Sequence, residues 1–213
     1  MIENIHWLGH DSFRIDAEKT IYIDPWQLKN DPPPADIVLI THEHGDHCSP
    51  SDVAKIAGPE TVIVTNAASA EKLKGRQGEV RVVKPGDQLS VKGIPLEAVP
   101  AYNLNKFRSP GKPFHPQETG HVGFIVTVGN QRIYHAGDTD NIPEMEGFEV
   151  DIALLPVSGT YVMTAEEAAD AAQRIGPKVV IPMHYGAGVV GTRADAERFA
   201  KLYDGEAVIL EQE

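Results

Sequence analysis

Short runs of β-branched and aromatic residues recur along the whole chain, separated by Gly, Pro and Asp, and this pattern predicts strands. The runs fall into two groups, one in each half of the chain. In the first half the predicted strands are residues 13–16, 20–24, 36–41, 61–65 and 79–84. In the second half they are residues 89–99, 121–128, 131–135, 150–155, 178–183 and 206–210.

Helical periodicity is clearest over residues 164–175. Thr164 precedes Glu167 by three residues, which is the spacing of a capping box, and a Gly-Pro pair ends the run. Because strands dominate each half and a helix comes before the final strands, we expect an α+β fold with two helix-covered sheets rather than a βαβ repeat. Shorter helical stretches follow three residues able to cap a helix, Ser49, Asn66 and Thr192.

No linker marks a domain boundary, so the sequence predicts a single domain over residues 1–213. Residues 103–120 form a Pro- and Gly-rich stretch that is too long for an ordinary hairpin. Loops longer than about 12–15 residues inside compact domains are commonly functional or disordered. We therefore expect this loop to form the wall of a site, with an irregular surface excursion as the alternative.

Charge and composition exclude several classes of partner. The chain carries 19 basic and 31 acidic side chains, a net charge of −12, which repels nucleic acid and anionic membranes. Cys48 is the only cysteine, and the chain starts with no signal-peptide pattern and contains no run of about 18 apolar residues. These features predict a cytoplasmic protein with no nucleic-acid partner and no membrane insertion.

The clearest chemical signal is the sequence HEHGDH at residues 42–47, directly after a predicted strand. Side chains two apart in an extended segment point the same way, so His42 and His44 can hold one cation. The glycine that follows lets the chain turn, after which Asp46 and His47 can face a second cation. Four such groups within six residues predict a metal site rather than an ordinary polar loop.

Two further candidate ligands, Asp138 and His184, stand at the ends of later predicted strands. A carboxylate such as Asp138 can bridge two metals through its two oxygens. Each residue alone is weak evidence, but together with the HEHGDH sequence they predict a binuclear centre. We expect two divalent metal ions, zinc in the first place or manganese.

These motifs, in this order, resemble the metallo-β-lactamase superfamily, and the resemblance covers essentially the whole chain. It implies a four-layer αββα sandwich of two mixed β-sheets flanked by helices, with the metal centre at one edge. Residues 8–13 and 23–25 are more narrowly similar to the metal-dependent hydrolase branch that includes ascorbate-6-phosphate lactonase and N-acyl-phosphatidylethanolamine phospholipase D.

The resemblance also implies a third histidine ligand before the strand that leads to Asp138, and two residues compete for this place. His115 offers an imidazole, which zinc prefers to a carboxamide. Asn103 lies directly after a strand, where relatives often have a histidine. We expect His115 to be the ligand, and for His121, a third possibility, we expect a packing role.

Three residues are predicted to support the centre without binding metal. We expect His10 to form hydrogen bonds behind the ligands, and Asp24 to accept the free N–H of a ligand histidine. Tyr161 lies in a turn after a strand, where its hydroxyl or nearby backbone N–H groups can reach the site.

Such a centre predicts a metal-dependent hydrolase. Metal coordination lowers the pKa of water toward about 7, so a metal-bound hydroxide is the expected nucleophile, with Asp46 as the catalytic residue that orients it and accepts its proton. The expected substrate is a small ester, lactone or phosphodiester. The loop cations Lys106, Arg108 and Lys112 are compatible with an anionic one, with ordinary solvated loop charges as the alternative. A non-catalytic metal-binding or scaffold protein is the alternative, and a homo-oligomer is compatible with either.

Overall fold

Two β-sheets carry the fold in a computed structural model that describes residues 2–29 and 31–213; Met1 and Asn30 lie outside the described residues. The first sheet begins with antiparallel strand pairs and continues with parallel ones. In sheet order its strands are β1 (Ile5–Gly9), β2 (Ser12–Asp16), β3 (Thr20–Ile23), β4 (Ile37–Ile40), β5 (Val62–Thr65) and β6 (Glu79–Val82).

The second sheet is also mixed, with antiparallel pairs on one side and parallel pairs on the other. Its strands are β7 (Gln88–Val91), β8 (Ile94–Pro100), β11 (Val122–Val128), β12 (Gln131–His135), β13 (Ile152–Pro156), β14 (Val179–Met183) and β15 (Glu206–Ala207). In space they run in the order β15-β14-β13-β12-β11-β8-β7. A small separate hairpin, β9 (Phe107–Ser109) and β10 (Lys112–Pro113), lies within the long loop between β8 and β11.

The core lies between the two sheets. It is built by side chains that point alternately to the two faces along each strand. Ile37 and Leu39 of β4 face the other sheet and join its buried residues in one apolar cluster. Their neighbours Val38 and Ile40 point to the opposite face, where they pack with Val53 in a second cluster. The first sheet is therefore buried on both faces, and each large side chain moved out of water contributes about 1.5–3 kcal/mol.

Helices cover the outer faces of both sheets. The first two helices lie against the first sheet, and the last two contact each other and pack on β13 and β14 of the second. This is the predicted α+β architecture of four layers, helix, sheet, sheet, helix. The helices are α1 (Pro50–Ile56), α2 (Ala67–Lys72), α3 (Ala165–Ile175) and α4 (Arg193–Leu202), with 3-10 turns at Ile2–Asn4, Gln117–Thr119 and Pro143–Gly147. Among the described residues, no helix is both long and apolar enough to cross a lipid bilayer.

Most predicted elements are confirmed, and the differences have local causes. The capping box of α3 is present, with Thr164 accepting from the Glu167 amide and Glu167 accepting from the Thr164 amide. The predicted strand 89–99 is wrong as one element, because Lys92 and Gly93 both take positive φ angles, 50° and 88°, in a two-residue hairpin turn. The strand β1 was not predicted, and the last strand is shorter than expected because the chain leaves the second sheet and pairs beside Trp7 of β1.

Candidate metal centre

Strand ends bring the predicted site residues to one edge of the sandwich. The strand β4 runs directly into residues 42–47, β12 is followed by Asp138, and β14 by His184. The strand β8 ends just before Asn103, and the long loop then returns with His115. Residues from four separate parts of the chain therefore meet in one place.

Four of these residues form a first group of potential ligand atoms, all within 4.8 Å of one another: His42, His44, His115 and Asp138. His44 Nδ1 lies 3.1 Å from His42 Nε2 and 3.3 Å from His115 Nε2. Asp138 Oδ2 lies 3.2 Å from His115 Nε2. Tetrahedral bonds of about 2.0–2.1 Å from zinc to nitrogen place donor atoms about 3.3 Å apart, so this group already has the dimensions of a zinc site.

A second group surrounds the other oxygen of the same carboxylate. His47 Nε2 and His184 Nε2 each lie 3.3 Å from Asp138 Oδ1. Asp46 Oδ2 lies 4.0 Å from His47 Nε2. Asp138 thus faces the first group through Oδ2 and the second through Oδ1, which is how a carboxylate that bridges two cations is arranged.

Hydrogen bonds on the outer nitrogens turn the imidazoles inward. His47 Nδ1 donates to Asp24 Oδ2 at 2.8 Å, which is the role predicted for Asp24. His115 Nδ1 donates to Asn103 Oδ1 at 2.9 Å. The two residues that competed for one ligand position are therefore partners, with His115 in the ligand group and Asn103 behind it. Fixing the outer nitrogen leaves the Nε2 lone pair free toward the centre.

The remaining buried imidazoles are held in the same way. Thr41 Oγ1 donates to Asp24 Oδ2 at 2.7 Å. A lone pair of the same Thr41 Oγ1 therefore accepts from His42 Nδ1, at 3.0 Å. Ser158 Oγ lies 2.7 Å from His184 Nδ1. Both histidines consequently present Nε2 to the centre.

Two imidazoles of the first group, His42 and His44, are neutral, and its carboxylate is ionised. Burial lowers the pKa of His42 well below its ordinary value and that of His44 to about 4, so both are unprotonated at neutral pH. Burial alone would raise the pKa of Asp138, but His47 and His184 outweigh it and hold that pKa well below the usual range. Neutral imidazole and ionised carboxylate are the forms that bind metal.

Carboxylates around the second group favour positive charge on its histidines. Burial tends to lower the pKa of His47, yet the carboxylates of Asp138 and Asp24 raise it well above the ordinary value. Burial likewise opposes charge on His184, but Asp138 and Asp11 raise its pKa. A cation in this group would replace the proton as the partner of Asp138.

Unpaired buried atoms show that the residues fit a metal. Asp138 Oδ1, His47 Nε2 and His184 Nε2 are buried and make no hydrogen bond with any residue of 2–29 or 31–213. They face one another at 3.3 Å without forming hydrogen bonds, and a cation among them would supply the bonds they lack, since a buried polar atom without one costs about 1–3 kcal/mol. Nitrogen and carboxylate donors in this arrangement suit zinc and also manganese.

The turn between β1 and β2 supplies one expected and one unexpected residue. His10 Nε2 lies 3.2 Å from Asp46 Oδ2, consistent with the supporting role predicted for it. Asp11, which sequence reasoning missed, is fully buried and clusters with His10, His47 and His184. Burial raises the pKa of Asp11 well above its usual range, against the opposing effect of His184 and His47. The sequence signal that points to it is its position beside His10 within residues 8–13, which carry the narrower family likeness.

Two other predicted residues lie outside both groups. His121 pairs with Glu43 Oε2 at 3.1 Å and packs its ring 4.9 Å from that of His42, in keeping with the packing role expected for it. The backbone carbonyl of Tyr161 accepts from Asn103 Nδ2 at 2.9 Å, and its side chain lines the space above the centre.

A cavity of about 480 Å³ opens directly onto the two groups. Its floor contains residues from both groups, and its walls come from the long loop and from the turns after β13 and β14. The floor includes His44, Asp46, His115 and Asp138, and the walls include Arg108, Phe114, Tyr161 and Val189.

Comparisons with known proteins identify the family of the chain. Residues 4–184 match the family described as the beta-lactamase superfamily domain. The chain is 35% identical to a UPF0173 metal-dependent hydrolase of Pyrococcus abyssi, over 97% of this chain and 94% of that protein. It is 34% identical to a second one, from Thermoplasma acidophilum, over 93% and 89% of the two chains. A crystal structure of a candidate metal-dependent hydrolase from Parabacteroides distasonis superposes with a TM-score of 0.83 at 36% identity, covering 98% of this chain and 93% of that one. The chain therefore belongs to the beta-lactamase superfamily, among its UPF0173 metal-dependent hydrolases.

Proposed function

We propose that this metal-dependent hydrolase uses a centre of two divalent cations, zinc or manganese, to cleave a small ester, lactone or phosphodiester. The observation that carries the proposal is the position of Asp138, whose two oxygens face two separate sets of donors. One cation would be held by His42, His44, His115 and Asp138, and the other by Asp46, His47, Asp138 and His184.

Two bound cations would supply hydroxide at neutral pH, because coordination lowers the pKa of water toward about 7. Asp46 is the residue of this chain best placed to accept the proton of that water. Its side chain is 25% exposed and lines the cavity, whereas Asp138 is buried. His10 Nε2 lies 3.2 Å from Asp46 Oδ2 and orients this carboxylate, so the other oxygen is free to accept a proton on the substrate side.

The cavity supports a small substrate. Its volume of about 480 Å³ falls in the range of about 300–1,000 Å³ that is typical of small-molecule sites. The net charge of −12 disfavours nucleic acid as a substrate. The single domain over residues 1–213, the cytoplasmic location, the homo-oligomer and the narrower likeness to lactonases and phospholipases of the same superfamily stay predictions from the sequence.

The test is turnover by protein of known metal content. The protein is stripped of metal, reloaded with zinc or manganese, and assayed on a panel of lactones, thioesters and phosphodiesters. We expect metal-dependent hydrolysis of at least one class, with His42→Ala and Asp46→Asn each lowering kcat/KM at least about a hundredfold. His6→Ala is the matched control, because His6 pairs with Glu213 and Asp16 away from the centre and its loss leaves turnover unchanged.

Two results would count against the proposal. Hydrolysis that does not depend on added metal would show that the cations take no part in the reaction. Protein that binds two cations and hydrolyses no member of the panel would favour the non-catalytic metal-binding alternative.

A further inference from the structure

The three cations of the long loop have different surroundings. Lys106 is largely buried, with its Nζ 2.6 Å from Glu167 Oε2 and 3.5 Å from Asp140 Oδ1, so its charge is neutralised and it anchors the loop. Lys112 lines a neighbouring depression rather than the cavity above the centre. Arg108 is exposed and lines both this depression and the cavity above the centre. Within residues 2–29 and 31–213 its guanidinium makes no ion pair and no hydrogen bond.

Arg108 is nevertheless held in place, by aromatic contact alone. Its Cζ lies 5.6 Å from the centroid of the Phe114 ring. Phe114 in turn packs edge-on against Tyr161, with ring centroids 4.8 Å apart and planes at 75°. A cation–π contact of this kind positions a guanidinium without using any of its five N–H donors, which stay available to a ligand.

The cavity wall formed by Arg108, Phe114 and Tyr161 is connected to the metal centre. Phe114 directly precedes His115 in the chain. Asn103 accepts from His115 through Oδ1 and donates to the Tyr161 carbonyl through Nδ2, at 2.9 Å in each case. The stack of Arg108, Phe114 and Tyr161 is thereby fixed relative to the donors that would hold the cations.

Charge distinguishes Arg108 from the rest of the cavity. The other ionised side chains that line it are Asp46 and Asp138, which cations would neutralise under the proposed function. Arg108 remains as a fixed positive charge at the side of the cavity in a protein with a net charge of −12. The planar guanidinium fork matches the geometry of a carboxylate or a phosphate.

We propose that Arg108 binds an anionic group of the substrate, a carboxylate or a phosphate, while Phe114 and Tyr161 contact an apolar part between that anion and the bond that is cleaved. This inference rests on the proposed function for the position of the cleaved bond. It makes Arg108 the residue that determines specificity for anionic over neutral substrates.

Binding of simple probes tests the inference without turnover. Benzoate, phenylphosphonate and the neutral benzamide are titrated by calorimetry into the metal-free and the zinc-loaded protein. We expect Arg108→Gln to lower the affinity for the better-bound anion about tenfold in both forms of the protein. The affinity for benzamide should change by no more than about twofold. The anion with the larger loss identifies the group, carboxylate or phosphate. Arg76→Gln removes the same charge from an exposed position outside the cavity and leaves all three affinities within about twofold.

Kinetics on matched esters separate failure of this inference from failure of the proposed function. For phenyl acetate and 4-carboxyphenyl acetate, we expect Arg108→Gln to raise KM about tenfold for the charged ester only. If neither ester nor any of the panel is hydrolysed, but anion binding depends on Arg108, the proposed function fails and the anion site at Arg108 stands. If anion binding is unchanged in Arg108→Gln, or if both esters lose activity equally, the inference is overturned.

Discussion

Replacing Asn103 with alanine perturbs one half of the metal centre. The Oδ1 atom of Asn103 accepts two hydrogen bonds from His115, one from the backbone N–H and one from Nδ1, each 2.9 Å long. Both residues are buried, with Asn103 6% and His115 1% exposed, so water has little access to replace the lost acceptor. The imidazole would then be free to rotate away from the other donors of its group.

The size of the effect follows from these contacts. Loss of a partner that orients a metal ligand typically lowers metal affinity about 10–100-fold, or about 1.4–2.8 kcal/mol. Each of the two His115 donors left unpaired costs a further 1–3 kcal/mol or so in the free energy of unfolding. Among the proposed ligands Asn103 contacts only His115, whereas Asp24 and Ser158 orient the histidines of the second group. We therefore expect the affinity for the zinc ion of the first group to fall and the affinity for the zinc ion of the second group to stay the same.

Competition with a chromophoric zinc chelator measures both equivalents separately. The matched control is Asn66→Ala, since Asn66 is also buried and its Oδ1 accepts from the Ser69 amide at 3.0 Å at the start of α2. Loss of this cap lowers the free energy of unfolding by about 1 kcal/mol and leaves zinc affinity unchanged. If Asn103→Ala binds both equivalents as tightly as the original protein, or weakens both equally, the proposed division of ligands is wrong.

Three further predictions concern other parts of the chain. Asp24→Ala should weaken both zinc equivalents about 10–100-fold in the same competition assay, because Asp24 orients His47 directly and His42 through Thr41. Thr164→Ala should lower the free energy of unfolding in urea by about 1 kcal/mol through loss of the α3 cap, and an unchanged midpoint would contradict this. Burial would raise the pKa of Asp52, but hydrogen bonds from Lys55 and Ser49 hold it below the ordinary 3.8. This carboxylate stabilises the fold above pH 3.8 and loses that effect as the pH falls through its lower folded pKa, so Asp52→Asn should cost more stability at pH 7 than at pH 2.

The local part of the site could be predicted from the sequence because its geometry follows from neighbouring residues. A strand followed by HEHGDH places four donors within six positions, whatever the rest of the chain does. The hydrogen bond between Asn103 and His115 could not be predicted, because these residues stand twelve positions apart and meet only when the loop folds back. The buried state of Asp11 likewise depends on what packs over the first hairpin, which no local pattern shows.

The fold likewise has parts that follow from local sequence and parts that depend on distant residues. Alternation and turn residues predicted most strands and the capped helix α3. The break between β7 and β8 was missed because its first turn residue, Lys92, gives no signal for a positive φ, and a single glycine within a strand pattern is ambiguous. The short pairing of the last residues with Trp7 depends on contact between the two ends of the chain, which no sequence window contains.

Anomalous diffraction at the zinc edge, from crystals grown with zinc, tests the central claim most directly. We expect two peaks about 3.5–4 Å apart on either side of the Asp138 carboxylate. A single peak, or a second peak displaced to the side of His10 and Asp11, would contradict the proposed pair of sites. The predicted peaks lie one among His42, His44 and His115 and one among Asp46, His47 and His184.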